Sequence, residues 1–358
     1  MNVKMQEAPQ NVLKVPENKA SAARISWVDH ARGIAILLVV YRHVVIGLQR
    51  SGVAITNTQY DIQELFYNFR MPVFFILSGI FVANSLRKKT RLDVLKDRAE
   101  TVLYPYLVWG VIMVTLEMVF VRFANARRTW IDYLDILIQP RAIDHLWYLY
   151  ALFNTSALYL LLSRLVKNPW VHGVIAIVLH SVTYLAFLQG NSLVSDAFFF
   201  YPYFLIGTLI SPVLLNKESA DKLLAPRNLL WVIPLFVAGQ WYYFMHRTKE
   251  EQTGYFPLLF VINLVACYFV YLIARRLERG GNAWLSWLGK YSLYIYILHV
   301  PVAAIVRNLA AHSGVALNSW VLIFACWALG VTVPILLYKL LTRYGFGKLF
   351  SLKNKPAA

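Results

Sequence analysis

Residues 28–45 read VDHARGIAILLVVYRHVV, an apolar segment with charged and histidine side chains at one end and again near its middle. Its length is close to the ~20 residues that a helix needs to cross about 30 Å of hydrocarbon. Apolar stretches of roughly 17–25 residues recur along the chain, separated by clusters of charge. This pattern predicts an all-α polytopic membrane protein.

The composition of the 358-residue chain also indicates a bilayer location. Hydrophobic residues make up 59% of the chain and charged residues 15%, and the mean hydropathy is +0.52, which is too apolar for a soluble protein. Strand-period alternation is absent, which argues against a transmembrane barrel. Cys267 and Cys326 lie in apolar segments without a CxxC or a Cys/His cluster, so we predict no disulfide framework and no metal site.

Hydropathy predicts about ten transmembrane helices. Their predicted ranges are 32–49, 66–86, 102–123, 145–164, 170–188, 198–215, 229–245, 256–275, 290–310 and 318–341. The loops between them are too short for a separate soluble domain. We therefore predict one transmembrane domain over 25–345, a flexible cytoplasmic tail over 1–24 and a basic cytoplasmic tail over 346–358.

The distribution of positive charge predicts the orientation of the helices. With the chain starting inside, 24 of the 35 lysines and arginines fall in the tails and loops on the cytoplasmic side, against eight in the opposite loops. Such an excess marks the cytoplasmic face, so both termini are predicted to be cytoplasmic. Because topology explains the +17 formal charge, we expect no nucleic-acid partner.

The first helix places its polar residues in one line. Arg32 and His43 are eleven positions apart, so they differ by only about 20° around the helix and by roughly 16 Å along it. Asp29 lies one turn before Arg32 and is expected to pair with it. Burial favours the uncharged imidazole, which could act as a base. The alternative reading of His43 is a histidine that packs or hydrogen-bonds between helices.

Arg42 and Arg70 are the other arginines in apolar segments. Ionisable groups in hydrocarbon are costly and normally face a cavity or a partner. Arg42 therefore either contacts substrate or has a structural role, balancing Glu117 or another acid. Both arginines are candidates for lining a polar cavity.

The arginine, ten residues and histidine of the first helix resemble the acyltransferase-3 family of membrane acyltransferases, as does the DHARG context at 29–33. Further similar motifs follow in the family's order, and the resemblance spans nearly the whole chain. They are FRMPVFFILSG from Phe69, a basic stretch leading to YPYLVWG from Tyr104, HLWYLYALF from His145, YFLIGTLI from Tyr203 and LGKYSLYIYILHVPV from Leu288.

This resemblance implies transfer of an acyl group, usually acetyl, from cytoplasmic acyl-CoA to a hydroxyl of an extracytoplasmic or cell-surface polysaccharide. His43 matches the family's essential histidine, as general base or transient acyl carrier. Arg32, with Asp29 and Arg98, would bind the donor. Acyl-CoA is then a substrate and no cofactor is bound. The implied setting is a bacterial cytoplasmic (inner) membrane, with a glycan or lipid-linked saccharide acceptor and polysaccharide-assembly proteins as partners.

The chain departs from the family pattern at two places. Family members often have a histidine before the Met-Pro of the second helix, where this chain has Arg70. The family's two arginines, three positions apart before the third helix, are represented by Arg98 with Thr101 in place of the second.

Three further residues are candidates for the acceptor site or the cavity wall. His145 and Tyr148 are expected at the outer end of the fourth helix, next to Trp147, for which an interfacial anchor is the alternative role. His299 is expected at the depth of His43. Because Pro301 follows it, His299 either satisfies a backbone carbonyl that the proline frees or lines the cavity.

Two other functions compete with glycan acylation. Ten helices with polar interiors also suit a transporter or flippase for a polysaccharide or its lipid-linked precursor, although no repeat or paired interrupted helices are visible. The same helices would serve an acyltransferase for a small metabolite or a lipid. The sequence has no GxxxxGK[ST], HExxH or GxSxG motif and no convincing glycine-rich dinucleotide motif, which leaves ATP-driven transport, redox and serine-hydrolase functions without support.

Overall fold

The computed structural model describes residues 25–122, 127–185, 188, 191–248, 254–313 and 318–353. Helices dominate these ranges and no strand occurs within them, which confirms the all-α fold. The predicted flexible tail over 1–24 lies outside the described residues. Within them the α-helices are α1 (Ser26–Arg50), α2 (Asn57–Leu65), α3 (Arg70–Leu86), α4 (Arg91–Arg98), α5 (Tyr104–Val119), α6 (Asp132–Ile138), α7 (Trp147–Leu165), α8 (Pro169–Val182), α9 (Ser192–Leu215), α10 (Lys217–Leu223), α11 (Leu229–Met245), α12 (Phe256–Arg279), α13 (Ala283–Lys290), α14 (Ser292–His312) and α15 (Ser319–Arg343).

Nine helical segments of the described ranges are long and apolar enough to cross a membrane. They are Ser26–Arg50, Asn57–Leu86, Arg91–Val119, Pro140–Leu165, Ser192–Leu215, Lys217–Met245, Phe256–Arg279, Ser292–His312 and Ser319–Arg343. Each overlaps one of the predicted spans. The remaining predicted span, 170–188, coincides with α8, whose 14 residues extend about 21 Å. This helix is shorter than the hydrocarbon core of about 30 Å.

Several helices begin or break where hydropathy gives no signal. The predicted span 66–86 begins with a four-residue turn, 66–69, and continues as α3, while α2 lies before it. The predicted span 102–123 begins earlier, in α4, and continues through a π-helical turn at Ala99–Leu103. The Thr90 side chain starts α4 by accepting a hydrogen bond from the Asp93 amide, which is a strong helix-start signal. Charged residues in the first turns lower the average hydropathy, so hydropathy does not detect where such helices begin.

The helix α1 lies at the centre of the bundle and packs against α3, α12, α13, α14 and α15. Two side chains from neighbouring helices donate hydrogen bonds to its backbone carbonyls. Trp327 on α15 donates its indole N–H to Leu37 at 3.0 Å, and Arg307 on α14 donates to Gly47 at 3.1 Å. These bonds fix the height and rotation of α1 relative to α14 and α15.

The helices α3 and α9 approach each other through two glycines. A Cβ atom on Gly79 would lie 2.1 Å from the carbonyl oxygen of Phe204, and one on Gly207 would lie 2.0 Å from that of Ile76. Backbone-to-backbone approach of this kind is the usual reason for small residues between membrane helices. The contact fixes α3, which begins with Arg70, against α9.

Ion pairs join loops at both ends of the bundle, which we name the Ser26 end and the Arg50 end after the two ends of α1. At the Arg50 end, Arg50 lies 3.7 Å from Asp144, just before α7. At the Ser26 end, Lys353 pairs with Asp97 on α4. The two ends therefore bring together segments that are distant in sequence.

The segment after α15 packs on the domain. Residues Phe346–Leu349 form a 3₁₀ turn, and the Phe350 ring is buried against Trp109 and Tyr294. The Leu352 amide donates to the Glu100 carbonyl at 3.2 Å. The part of the predicted basic tail that is described, 346–353, is thus attached to the Ser26 end of the bundle.

We expect Gly79→Ala to reduce the amount of folded protein and to lower its free energy of unfolding by about 1–3 kcal/mol, because the methyl group must displace backbone atoms of α9. Gly173→Ala on α8 is the matched control, since a Cβ there meets nothing within 4 Å. Thermal unfolding of both purified variants in detergent measures the difference. Equal stability of the two variants would contradict the close packing of α3 on α9.

Candidate active site

Three histidine rings meet in the interior of the bundle. His43 lies on α1, His145 in the 3₁₀ turn before α7, and His299 on α14. The centroid of the His43 ring is 5.1 Å from that of His299 and 6.0 Å from that of His145, and the latter two are 5.0 Å apart. The sequence predicted His43 and His299 at one depth, and the structure places His145 with them. We call these residues the histidine cluster.

His145 is held in the cluster by α14. Pro301 has no N–H group, so the carbonyl of Ile297, four residues earlier, loses its helical hydrogen bond. The His145 Nε2 atom contacts that carbonyl at 3.1 Å. In return, the Tyr296 hydroxyl donates to the His145 carbonyl. The two bonds attach the turn before α7 to the proline site of α14.

The backbone before His145 is strained. Asp144 has a φ of +50°, which is uncommon for a residue other than glycine and costs about 1–3 kcal/mol. This conformation lets the chain turn between Pro140 and α7 while His145 points into the bundle, where it is 2% exposed. His145 therefore occupies a position that a helix at 145–164 would not have given it.

His299 bonds to its own helix instead of to the carbonyl freed by Pro301. Its Nδ1 atom contacts the carbonyls of Ile295 at 3.0 Å and Tyr296 at 2.8 Å. We predicted that His299 either satisfies the carbonyl freed by Pro301 or lines the cavity. The first role is wrong, because His145 and not His299 bonds to that carbonyl. The ring of His299 itself is fully buried beside His43.

These backbone bonds fix which nitrogen carries the proton in two of the rings. A carbonyl only accepts hydrogen bonds, so His145 must be protonated on Nε2 and His299 on Nδ1. Their other nitrogens, Nδ1 and Nε2 respectively, are buried and have no hydrogen-bond partner among the described residues. His43 is half-buried, whereas His145 and His299 are buried.

The described residues contain no group of three or more His, Cys, Asp or Glu side chains that could hold a metal ion.

The predicted donor residues lie between the histidine cluster and the Ser26 end. Arg32 is 3.8 Å from Asp29, as predicted from their spacing, and its guanidinium lies 5.2 Å from the centre of the Phe81 ring. Arg98 donates to the Ser78 carbonyl at 3.3 Å. The charges of Arg32 and Arg98 act on each other and on the Tyr148 hydroxyl. Tyr148 was predicted to contact the acceptor or to line the cavity, and its hydroxyl is under the influence of these two donor-side arginines.

Arg42 and Arg70 lie between the histidine cluster and the Arg50 end, and both contact Tyr67. Their guanidinium carbons are 4.4 Å and 4.7 Å from the centre of the Tyr67 ring. Arg42 also donates to Gln63 at 2.8 Å and lies 3.6 Å from Glu64. The acid that balances Arg42 is therefore Glu64.

Glu117, the acid named in the sequence-based prediction for Arg42, pairs instead with Arg128. Their closest atoms are 2.6 Å apart, and Arg128 also contacts Asp132 at 3.2 Å. Glu117 lies near the end of α5, remote from α1 in sequence, and the loop before α6 returns Arg128 to it. Of the two alternatives predicted for Arg42, Glu117 or another acid, the structure shows the second, and the pairing of Glu117 with Arg128 across a loop has no sequence period from which it could be predicted.

Arg141 and Trp147 complete this side of the site. Arg141 binds Asp196 through two nitrogens at 2.6–2.9 Å and lies 4.2 Å above the Trp147 ring. Its charge also acts on Tyr67. Sequence reasoning missed Tyr67 and Arg141, because hydropathy merged the turn that contains Tyr67 into one span and left Arg141 in a loop.

Imidazoles in the middle of an apolar helix bundle, with cations on both sides, are the arrangement expected of a membrane-embedded group-transfer enzyme. The family model described as an acyltransferase domain matches residues 25–339. The chain belongs to this family, the acyltransferase-3 family, which confirms the resemblance seen in its sequence.

The chain is also similar to nodulation protein NolL of Sinorhizobium fredii (strain NBRC 101917 / NGR234). The two are 25% identical over 219 residues, which are 60% of this chain and 56% of NolL. The chain thus spans a little more than half of the length of the curated relative that it matches. No solved structure matches the chain.

We expect His299→Asn to lower acyl transfer at least about tenfold, less than the roughly 10²–10⁴-fold that a direct proton-transfer group contributes, while the protein stays folded. The asparagine amide can replace Nδ1 toward the two carbonyls, but it offers nothing in place of Nε2. Ester content of the glycan from cells that express each variant is the measurement.

The matched control for this variant is His180→Asn on α8. His180 also donates from Nδ1 to a carbonyl, that of Phe199, at 2.8 Å, and its Nε2 is buried without a partner in the described part of the chain. It lies outside the histidine cluster, so its replacement should leave transfer unchanged. The same loss in both variants would show that His299 acts only through packing.

Proposed function

We propose that this protein is a membrane O-acyltransferase that moves an acyl group, acetyl in the simplest case, from acyl-CoA to a hydroxyl of an extracytoplasmic or cell-surface polysaccharide. The observation that supports this most is the meeting of His43 with two imidazoles, each of which has one buried nitrogen without a hydrogen-bond partner among the described residues. Arginines lie on both sides of this cluster, so an anionic donor and a polar acceptor can approach it from opposite ends.

His43 is proposed as the general base. The acceptor O–H proton moves to its imidazole while the oxygen forms a bond to the thioester carbonyl carbon. The C–S bond then breaks with its electron pair on sulfur, and the leaving thiolate takes the proton from His43. The products are the glycan ester and CoA–SH, so the reaction needs no further reactant.

The other two imidazoles are proposed to assist this proton transfer. Once His43 is protonated, its cation needs a partner in a region of low dielectric. The unprotonated nitrogens of His145 and His299 are the available acceptors, and their bonds to backbone carbonyls prevent the rings from turning away. Such preorganised acceptors stabilise a charge as it develops.

The donor is proposed to bind at the Ser26 end. Arg32 and Arg98 supply two positive charges on the route toward His43, and arginine is well suited to bind phosphate oxygens. The Ser26 end also holds the excess of lysines and arginines, so we propose that it faces the cytoplasm, where acyl-CoA is available. Both chain termini would then be cytoplasmic.

The acceptor is proposed to approach from the Arg50 end, on the extracytoplasmic side. The Trp147 ring and the polar groups around Tyr67 suit a saccharide, which combines apolar ring faces with hydroxyls. The similarity to a rhizobial nodulation protein supports a bacterial setting, and we propose the cytoplasmic (inner) membrane with polysaccharide-assembly proteins as partners.

We expect His43→Ala to abolish acyl ester on the surface glycan while the protein level and membrane insertion stay normal. Mass analysis of glycan from a deletion strain that carries each variant measures this. His246→Ala, a half-buried histidine outside the cluster, should restore the native ester content. Normal ester with His43→Ala would exclude the proposed base, and loss of polymer display in the deletion strain would indicate transport.

We expect Arg98→Gln and Arg32→Gln to raise the KM for acyl-CoA at least about tenfold, because each removes a charged partner of the donor phosphates. Steady-state kinetics with washed membranes and varied acyl-CoA measure the change. Arg87→Gln is the control, since it removes an exposed charge at the same end of the bundle. A fall in kcat at unchanged KM would place these arginines in another role.

A further inference from the structure

Tyr67 is surrounded by three arginines on the Arg50 side of the histidine cluster. Arg42, Arg70 and Arg141 all act on it electrostatically, the first two from within 4.7 Å of its ring centre. We call Tyr67 and these arginines the Tyr67 cluster. Tyr67 is 37% exposed, so part of the cluster is accessible.

The carboxylates near the Tyr67 cluster are fewer than the guanidinium groups. Glu64 lies 3.6 Å from Arg42, and Asp196 binds Arg141 through two nitrogens. Among the described residues, no carboxylate lies within 4.0 Å of Arg70. Arg70 is therefore the one guanidinium of the cluster that no carboxylate of the described residues contacts directly.

Arg70 is also the most deeply buried member of the cluster. It is 5% exposed, and its Nη1 atom has no hydrogen-bond partner within the described part of the chain. A buried guanidinium without a paired anion is unfavourable in a membrane protein. A site of this kind becomes favourable when a ligand supplies the missing negative charge.

The Tyr67 cluster is close to the proposed reaction centre. The charges of Arg70 and Arg42 both act on His43. A group bound at Arg70 would therefore be part of the same acceptor whose hydroxyl reaches His43. A donor phosphate is the less suitable occupant, because Arg32 and Arg98 already lie on the opposite side of the histidine cluster.

We propose that Arg70, supported by Arg42 and Tyr67, binds an anionic group of the acceptor, and that the acceptor is an acidic saccharide. A carboxylate or a phosphate ester would complete the charge balance and satisfy Nη1 with the planar, two-pronged geometry that arginine favours. The anion is either a sugar carboxylate or the phosphate of a lipid-linked saccharide. This inference rests on the proposed function.

The test measures ligand-dependent thermal stabilisation of the full chain in nanodiscs of zwitterionic lipid, which avoids competition from anionic headgroups. The probes are methyl glucuronide, the neutral methyl glucoside of the same size, and a short isoprenyl diphosphate. At least one anion should stabilise the native protein while methyl glucoside does not. Which anion stabilises it distinguishes a sugar acid from a lipid-linked phosphate.

Variants then locate the site. Arg70→Gln should weaken binding of the effective anion at least about tenfold, whereas Arg50→Gln, which removes an exposed charge at the same end, should bind as the native chain does. Arg70→Lys should bind the anion with an affinity between those of the native chain and Arg70→Gln. If Arg70→Gln does not fold, weaker anion binding by Arg70→Lys is the test of the site. His43→Ala should keep anion binding even though it abolishes transfer.

Three results would overturn the proposal: no stabilisation by either anion, equal stabilisation by methyl glucoside, or native-like anion binding in both Arg70 variants. Because binding is measured without transfer, these results leave the function of His43 untouched. Conversely, full activity of His43→Ala would refute the acyltransferase mechanism while anion binding at Arg70 persisted.

Discussion

The carbonyl of Ile297, released from its helix by Pro301, is the group on which the geometry of the site depends. In a bilayer an unpaired carbonyl is costly, and water cannot satisfy it. The bond from His145 removes that cost and at the same time fixes the ring and its tautomer. A helix defect in α14 thus becomes an anchor for a side chain from another segment.

The positions of the other two imidazoles also depend on α14. His299 is two residues before the proline on the same helix, and α1 is attached to α14 and α15 by the bonds to Gly47 and Leu37. The three rings therefore come from three segments that are all tied to α14, directly or through one neighbour. A shift of α14 would therefore move the three rings together and leave their separations unchanged.

Sequence reasoning predicted those features that depend on a helical period. Apolar length gave the spans, the 100° rotation per residue aligned Arg32 with His43, and counting along α14 gave the depth of His299. The pairing of Arg32 with Asp29 is likewise an effect of i,i+3 spacing. In each case a local rule holds because the residues lie on one continuous helix.

Features that depend on turns or on pairs distant in sequence were not predictable in this way. The positive φ of Asp144 directs His145 inward, and hydropathy contains no information on it. Tyr67 lies in the turn between α2 and α3, which hydropathy did not predict. Arg70 stands where members of the family often have a histidine. Its guanidinium is a permanent cation in an environment where charge must be balanced. Because Glu64 and Asp196 are already engaged with Arg42 and Arg141, the proposed acidic acceptor would supply the anion that no carboxylate in the described part of the chain supplies to Arg70.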